Sequence, residues 1–104
     1  MSDLNYNPQG LIPAVIQDDE TDAMLMLGYM TPETLEMTKQ KGQVVFWSRS
    51  RKEIWHKGAT SGDFLEVRSI KADCEHNSLL IRVHMVGGAV CHTGAKSCYF
   101  NEVD

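Results

Sequence analysis

Residues 64–86 read FLEVRSIKADCEHNSLLIRVHMV, and the fold is decided there. The first part, residues 64–73, has the composition of a long strand. Its apolar phase slips partway, from Leu65 and Val67 to Ile70 and Ala72. Side chains on a strand alternate with a period of two, so a change of phase calls for an inserted residue, and a bulge near Ser69 is predicted. Glu75, His76 and Asn77 mark a tight turn. Residues 79–86 then return as a strand, with Ile81, Val83 and Met85 on one face and Arg82 and His84 on the other.

Toward the N-terminus the pattern stays β-rich. The apolar runs at 13–17 and 23–30 are split by the acidic, turn-forming cluster at 18–22, which reads as a β-hairpin. Thr31-Pro32-Glu33 opens a helix: a capping hydroxyl, a proline at the first helical position, and an acid at the positive end of the helix dipole. The helix is predicted to end near Lys41, with Lys39 and Lys41 in its last turn and Gly42 as the stop. Leu35 is its clear apolar residue, bordered by Met37 and Thr38, so the buried stripe is thin. QVVFWS at 43–48 is a β-branched and aromatic strand, and 48–62 reads as strand plus functional loop. Gly87-Gly88 opens a last loop that carries Cys91, His92, Gly94 and Cys98. The class is α+β: a β-rich single domain with one main helix, spanning residues 10–104 behind a loose polar segment at 1–9.

Length and composition agree with this reading. The 104 residues suffice for one domain, and a core that small gains from a metal or a partner subunit. Net charge is −4, which argues against a general nucleic-acid binder. The opening MSDLNYNPQG has neither a basic nor an apolar targeting region, and no apolar run approaches the roughly 20 residues of a membrane span. A cytoplasmic chain, with no membrane and no nucleic acid as partner, is expected. Its three cysteines are an odd number and stay reduced there, leaving core thiols or metal ligands as their roles.

Three groups of residues carry candidate chemistry. Cys74, Cys91 and Cys98 are separated by sixteen and six residues, a spacing that matches no standard zinc finger. On spacing alone they read equally well as buried small hydrophobes. Each, however, lies beside polar residues or glycine, and three thiolates with a fourth place left for water make a catalytic zinc set. In Asp73-Cys74-Glu75-His76-Asn77, an extended backbone puts residues 73, 75 and 77 on one side, suited to Mg²⁺, and the Cys74 thiolate on the other. An ordinary polar hairpin turn is the competing reading.

The third group is WSRSRKEIWHKG at 47–58, with Arg49, Arg51, Lys52 and Lys57 against the single acid Glu53. With Ser48, Thr60 and Ser61 nearby, it has the guanidinium and hydroxyl groups that phosphate recognition uses, although a solvated basic strand edge has the same composition. Among the histidines, His92 follows a candidate ligand and is the first choice for proton transfer, with His56 second.

Read in order, FWSRSRKEIWHKGATSG at 46–62, ADCEHNSLLIRV at 72–83 and CHTGAKSCYF at 91–100 resemble the phosphoribosyl-AMP cyclohydrolase family, and GLIPAVIQD at 10–18 and LMLGYM at 25–30 fit its opening. The resemblance spans nearly the whole chain, residues 9–100. It implies hydrolysis of the N1–C6 bond of the adenine ring in 1-(5-phosphoribosyl)-AMP, a step of histidine biosynthesis. It implies an intertwined homodimer with one zinc per subunit shared across the interface, bound by Cys74 of one subunit and Cys91 and Cys98 of the other. It implies Mg²⁺ at Asp73, Glu75 and Asn77, where Glu75 lengthens the arm of the family's usual second acid and Asn77 drops the charge of the third. The zinc would acidify a water that attacks C6, as in the zinc deaminases. Arg49, Arg51 and Lys57 are expected at the substrate phosphates, with Ser48, Thr60 and Ser61 as donors. Many members of that family carry a fused pyrophosphohydrolase domain; with this sequence ending at Asp104, that activity is expected on another protein. A non-catalytic structural zinc module, closed by His76 or His92, is the competing class.

Overall fold

The structure is a computed structural model and describes residues 3–91 and 93–103. Six strands and one helix follow in the order β1 (Ile12–Asp18), β2 (Met24–Met30), α1 (Pro32–Lys41), β3 (Val45–Ser48), β4 (Glu53–His56), β5 (Leu65–Ala72) and β6 (Leu79–Met85). This is the expected β-rich α+β domain. Four strands form one sheet in the order β2-β1-β6-β5, and β3 and β4 form a separate hairpin.

The two strands of the deciding stretch pair antiparallel, and the bulge is where the phase slip places it. Val67 lies opposite Val83 and Ser69 opposite Arg82, so Arg68 is the extra residue. With that insertion Val67 and Ile70 both pack against the core, across from Val83 and Ile81. β1 and β2 form the expected hairpin, with Ile12, Ala14 and Ile16 fully buried along one face. β1 also runs parallel to β6, pairing Ala14 with Leu79 and Ile16 with Ile81, so these two strands lie at the centre of the sheet.

Helix α1 begins and ends on its predicted signals. The Thr31 hydroxyl accepts the Thr34 N–H at 3.1 Å, and Thr34 returns the bond by accepting the Thr31 N–H at 2.9 Å. Gly42, at φ 69°, takes the left-handed cap conformation and donates to Thr38 O. The buried stripe is Thr34, Leu35 and Thr38, two of them polar. Thr38 Oγ1 donates to Thr34 O at 2.8 Å and accepts the Val45 N–H at 2.9 Å, which stitches the helix to β3.

The β3–β4 hairpin was not foreseen as a unit. Lys52, at φ 54°, turns the chain, and Phe46 and Trp55 stack at 5.5 Å between centroids. The hairpin is tied to the edge of β5 by the Gln43–Glu66 bridge and the bond from Val44 N to Leu65 O. Residues 3–9 carry no regular structure, yet Asn5 donates its backbone N–H to His76 O and its side-chain amide to Glu75 O, and Leu4 and Tyr6 pack on the core. Among the described residues, no helix is long and apolar enough to cross a membrane.

Candidate active site

The loop after β6 brings two of the three cysteines together. Val90 and Cys91 both donate backbone N–H groups to Ala95 O, and Gly94 donates to Cys91 O, closing a tight turn. Beyond it the Ser97 hydroxyl donates to Met24 O and the Cys98 N–H to Leu25 O, anchoring the chain on the start of β2. Cys91 and Cys98 come within hydrogen-bonding reach of each other at this end of the sheet. The Thr93 hydroxyl, 3.2 Å from Cys91 Sγ, holds that thiol below its ordinary pKa, helped by the Lys57 charge. Burial, with the neighbouring Cys91, pushes the Cys98 thiol up. The two sulfurs are thus shifted in opposite directions from the ordinary thiol value.

A cleft of about 450 Å³ opens beside this pair. Arg51, Lys57, Thr60 and Ser61 line it, together with Trp55 and Asp63. Gly58, at φ 95°, permits the turn out of β4, and a side chain there would strike the backbone of Phe64. Asp63 fits against Gly87 so closely that a Cβ at 87 would overlap its carboxylate.

The other expected site residues lie elsewhere. Ser48 accepts the Arg51 backbone N–H at 3.3 Å and serves the β3–β4 turn. The Arg49 guanidinium stacks on the Tyr29 ring, 3.9 Å from its centroid. His56 pairs with the Gln43 side chain at 2.8 Å, in the seam that joins β4 to β5, and does not line the cleft. His92 lies outside the described residues.

Cys74, exposed, sits at the opposite end of the β5–β6 pair. Eight strand residues at about 3.3 Å each separate it from the cleft by more than 20 Å. Residues 73–78 form a turn and not the extended backbone that would set 73, 75 and 77 against 74. Asp73 Oδ1 accepts the N–H groups of Asn77 and Ser78, at 2.9 and 3.0 Å, and these bonds hold its carboxyl below the usual range despite an opposing desolvation effect. His76 takes a left-handed φ of 57°, and the Asn77 amide donates to Glu75 Oε1 at 3.3 Å. Among the described residues of one chain, no three His, Cys, Asp or Glu side chains gather closely enough to hold an ion. The paired thiols of Cys91 and Cys98 fit two corners of a soft tetrahedral site; an exposed thiol such as Cys74 fits a third only when another copy brings it there.

Trp55, Asp63 and Thr93 were missed. Trp55 stood inside the basic segment as an aromatic among cations, and Thr93 stood two residues past a cysteine; both signals were visible.

The fold is that of a small β-rich α+β domain with Cys91 at the wall of a polar cleft. The sequence profile of the phosphoribosyl-AMP cyclohydrolase family matches residues 26–100. A phosphoribosyl-AMP cyclohydrolase of Salinibacter ruber is 53% identical over 95 residues, covering 91% of this chain and 74% of the relative. One of Streptococcus sanguinis is 50% identical over 101 residues, covering 96% and 88%. A histidine biosynthesis bifunctional protein of Prochlorococcus marinus is 48% identical over 101 residues; the match takes in 97% of this chain and only 45% of that protein. The chain belongs to the phosphoribosyl-AMP cyclohydrolase family.

Proposed function

We propose that the chain hydrolyses the N1–C6 bond of the adenine ring of 1-(5-phosphoribosyl)-AMP in histidine biosynthesis, as a zinc-dependent homodimer in the cytoplasm. The observation that carries this reading is the meeting of Cys91 and Cys98 at the wall of a cleft that also holds Arg51, Thr60 and Ser61. The zinc site is completed by Cys74 of the partner subunit. The second face of the sheet supports a dimer: Val15 and Leu80 are half-buried there and Leu27 is exposed, an apolar surface that one chain leaves uncovered.

Zinc, when bound, lowers the pKa of water toward neutrality and supplies the nucleophile. The chain's own residues do the rest. Arg51 is exposed; its Nε pairs with Glu53 at 3.5 Å and donates to the Ser48 hydroxyl at 3.4 Å, its guanidinium lies 5.8 Å from the Trp55 ring centroid, and its two terminal nitrogens are the donors offered to a phosphate. Thr60 and Ser61 add hydroxyl donors at the same wall. Trp55 presents an aromatic surface for the purine, its position fixed by Phe46 behind it. His92 carries the proton to the departing ring nitrogen; His56, occupied by Gln43, is given no such step. Asp73 and Glu75, exposed beside Cys74, are the proposed Mg²⁺ ligands, with Asn77 adding an uncharged oxygen.

The test is direct. Purified protein mixed with phosphoribosyl-AMP is followed by the ultraviolet change of ring opening, before and after chelation. Turnover is expected to vanish with the metal and to return with added zinc. Full turnover by metal-free protein overturns the zinc reading, and no turnover under any metal condition overturns the reaction.

A further inference from the structure

Lys57 was expected to meet a phosphate, but its surroundings suit another task. It is the one buried cation among the described residues, with 7% of its surface exposed. A charge taken out of water persists only beside acceptors or opposite charge. Lys57 Nζ donates to Val90 O at 2.6 Å, and Val90 immediately precedes Cys91. The Trp55 ring centroid lies 5.6 Å from the same nitrogen. Among the described residues no carboxylate forms an ion pair with it. An ammonium carries three donors, and Val90 takes one.

The cleft wall that holds Lys57 also holds Cys91. Three thiolates outweigh a divalent ion by one negative charge, which a buried ammonium at that wall offsets. We propose that Lys57 is a positioning residue of the thiolate site: it fixes the Val90–Cys91 backbone and compensates the excess charge of the cysteine set, and does not bind a substrate phosphate. This rests on the zinc reading above.

The experiment compares zinc affinity, by competition with a chromophoric chelator, with kcat and KM in the zinc-loaded protein. Lys57→Met is expected to weaken zinc binding by about 10–100-fold, the usual cost of losing a group that supports a metal ligand. KM for phosphoribosyl-AMP stays near the parent value, and the loss falls on zinc retention and kcat. Lys57→Arg, which keeps the charge, is expected to hold zinc better than Lys57→Gln, which keeps a donor but not the charge. If Lys57→Met does not fold, that Arg and Gln pair carries the comparison. Parent-like zinc affinity in Lys57→Gln together with a KM raised tenfold or more overturns the proposal in favour of phosphate binding. A parent protein that takes up no zinc overturns the metal reading itself, a failure seen before any variant is measured.

Discussion

The ring of Phe46 lies directly on the backbone of Gly28, so that a methyl group at position 28 would overlap the ring edge. This contact joins the edge strand of the sheet to the β3–β4 hairpin, and through the Phe46–Trp55 stack it reaches the cleft wall. Overpacking of this kind costs about 1–3 kcal/mol in a close-packed core. Gly28→Ala is expected to lower the denaturant midpoint accordingly and to reduce activity as Trp55 shifts. An unchanged midpoint would show that the hairpin moves aside freely.

The hydroxyl of Thr38 gives a second stability prediction. Thr38→Val keeps the shape but leaves the buried Val45 N–H without its acceptor. A loss of about 1–3 kcal/mol is expected from chemical denaturation. Thr38→Ser, which keeps the hydroxyl, should recover much of it.

Asp18 makes stability depend on acid. Its side chain is 5% exposed, and its pKa is held down chiefly by the Glu20 N–H, then by the Thr21 hydroxyl and Lys96, against the opposing effect of burial. The folded pKa therefore lies below the unfolded value of about 3.9. The contribution is fully present above that value and is lost as pH falls through the lower, folded pKa. Asp18→Asn is expected to be less stable at neutral pH and to show a flatter decline below about pH 4. Parallel stability–pH curves for the two proteins would contradict this.

Cys91 is expected to be the most reactive cysteine of the Cys91–Cys98 pair in metal-free protein, because the Thr93 hydroxyl favours its thiolate. Peptide mapping after brief iodoacetamide treatment at neutral pH should find label on Cys91 before Cys98. Thr93→Ala should slow that labelling and move the midpoint of the rate–pH curve upward.

Cys74→Ser and Cys91→Ser should each be inactive alone. If each site draws Cys74 from one subunit and Cys91 and Cys98 from the other, unfolding and refolding the two together makes mixed dimers with one intact site. Half the dimers are mixed at equal ratio, so about a quarter of parental activity is expected. No recovery would contradict the shared site.

How much of this was legible depended on the range of the interaction. The cap at Thr31, the stop at Gly42 and the bulge beside Ser69 have local causes, and each was readable from a few residues. The parallel pairing of β1 with β6 has none, since Ala14 and Leu79 lie far apart in the chain and any apolar strand satisfies the pattern of another. At the site, the basic segment supplies Arg51 and Lys57 to the cleft wall. It did not tell which cations face it: the turn at Lys52 sends Arg49 to Tyr29, while Lys57, one strand later, is drawn inward to Val90. The turn at 73–78 was read both ways, as a hairpin turn and as extended chain, because Asp73 suits a ligand and a turn cap equally well.

The central pairing of β1 with β6 also sets the order of events at the ribosome. The first strand emerges early, but its parallel neighbour is the last of the six described strands, so the middle of the sheet cannot close until residues 79–85 have been synthesised. Until then the β1–β2 hairpin has an unpaired edge and an open apolar face. A nascent chain stalled before residue 79 should be a chaperone client, whereas one released after β6 should collapse in a single cooperative step.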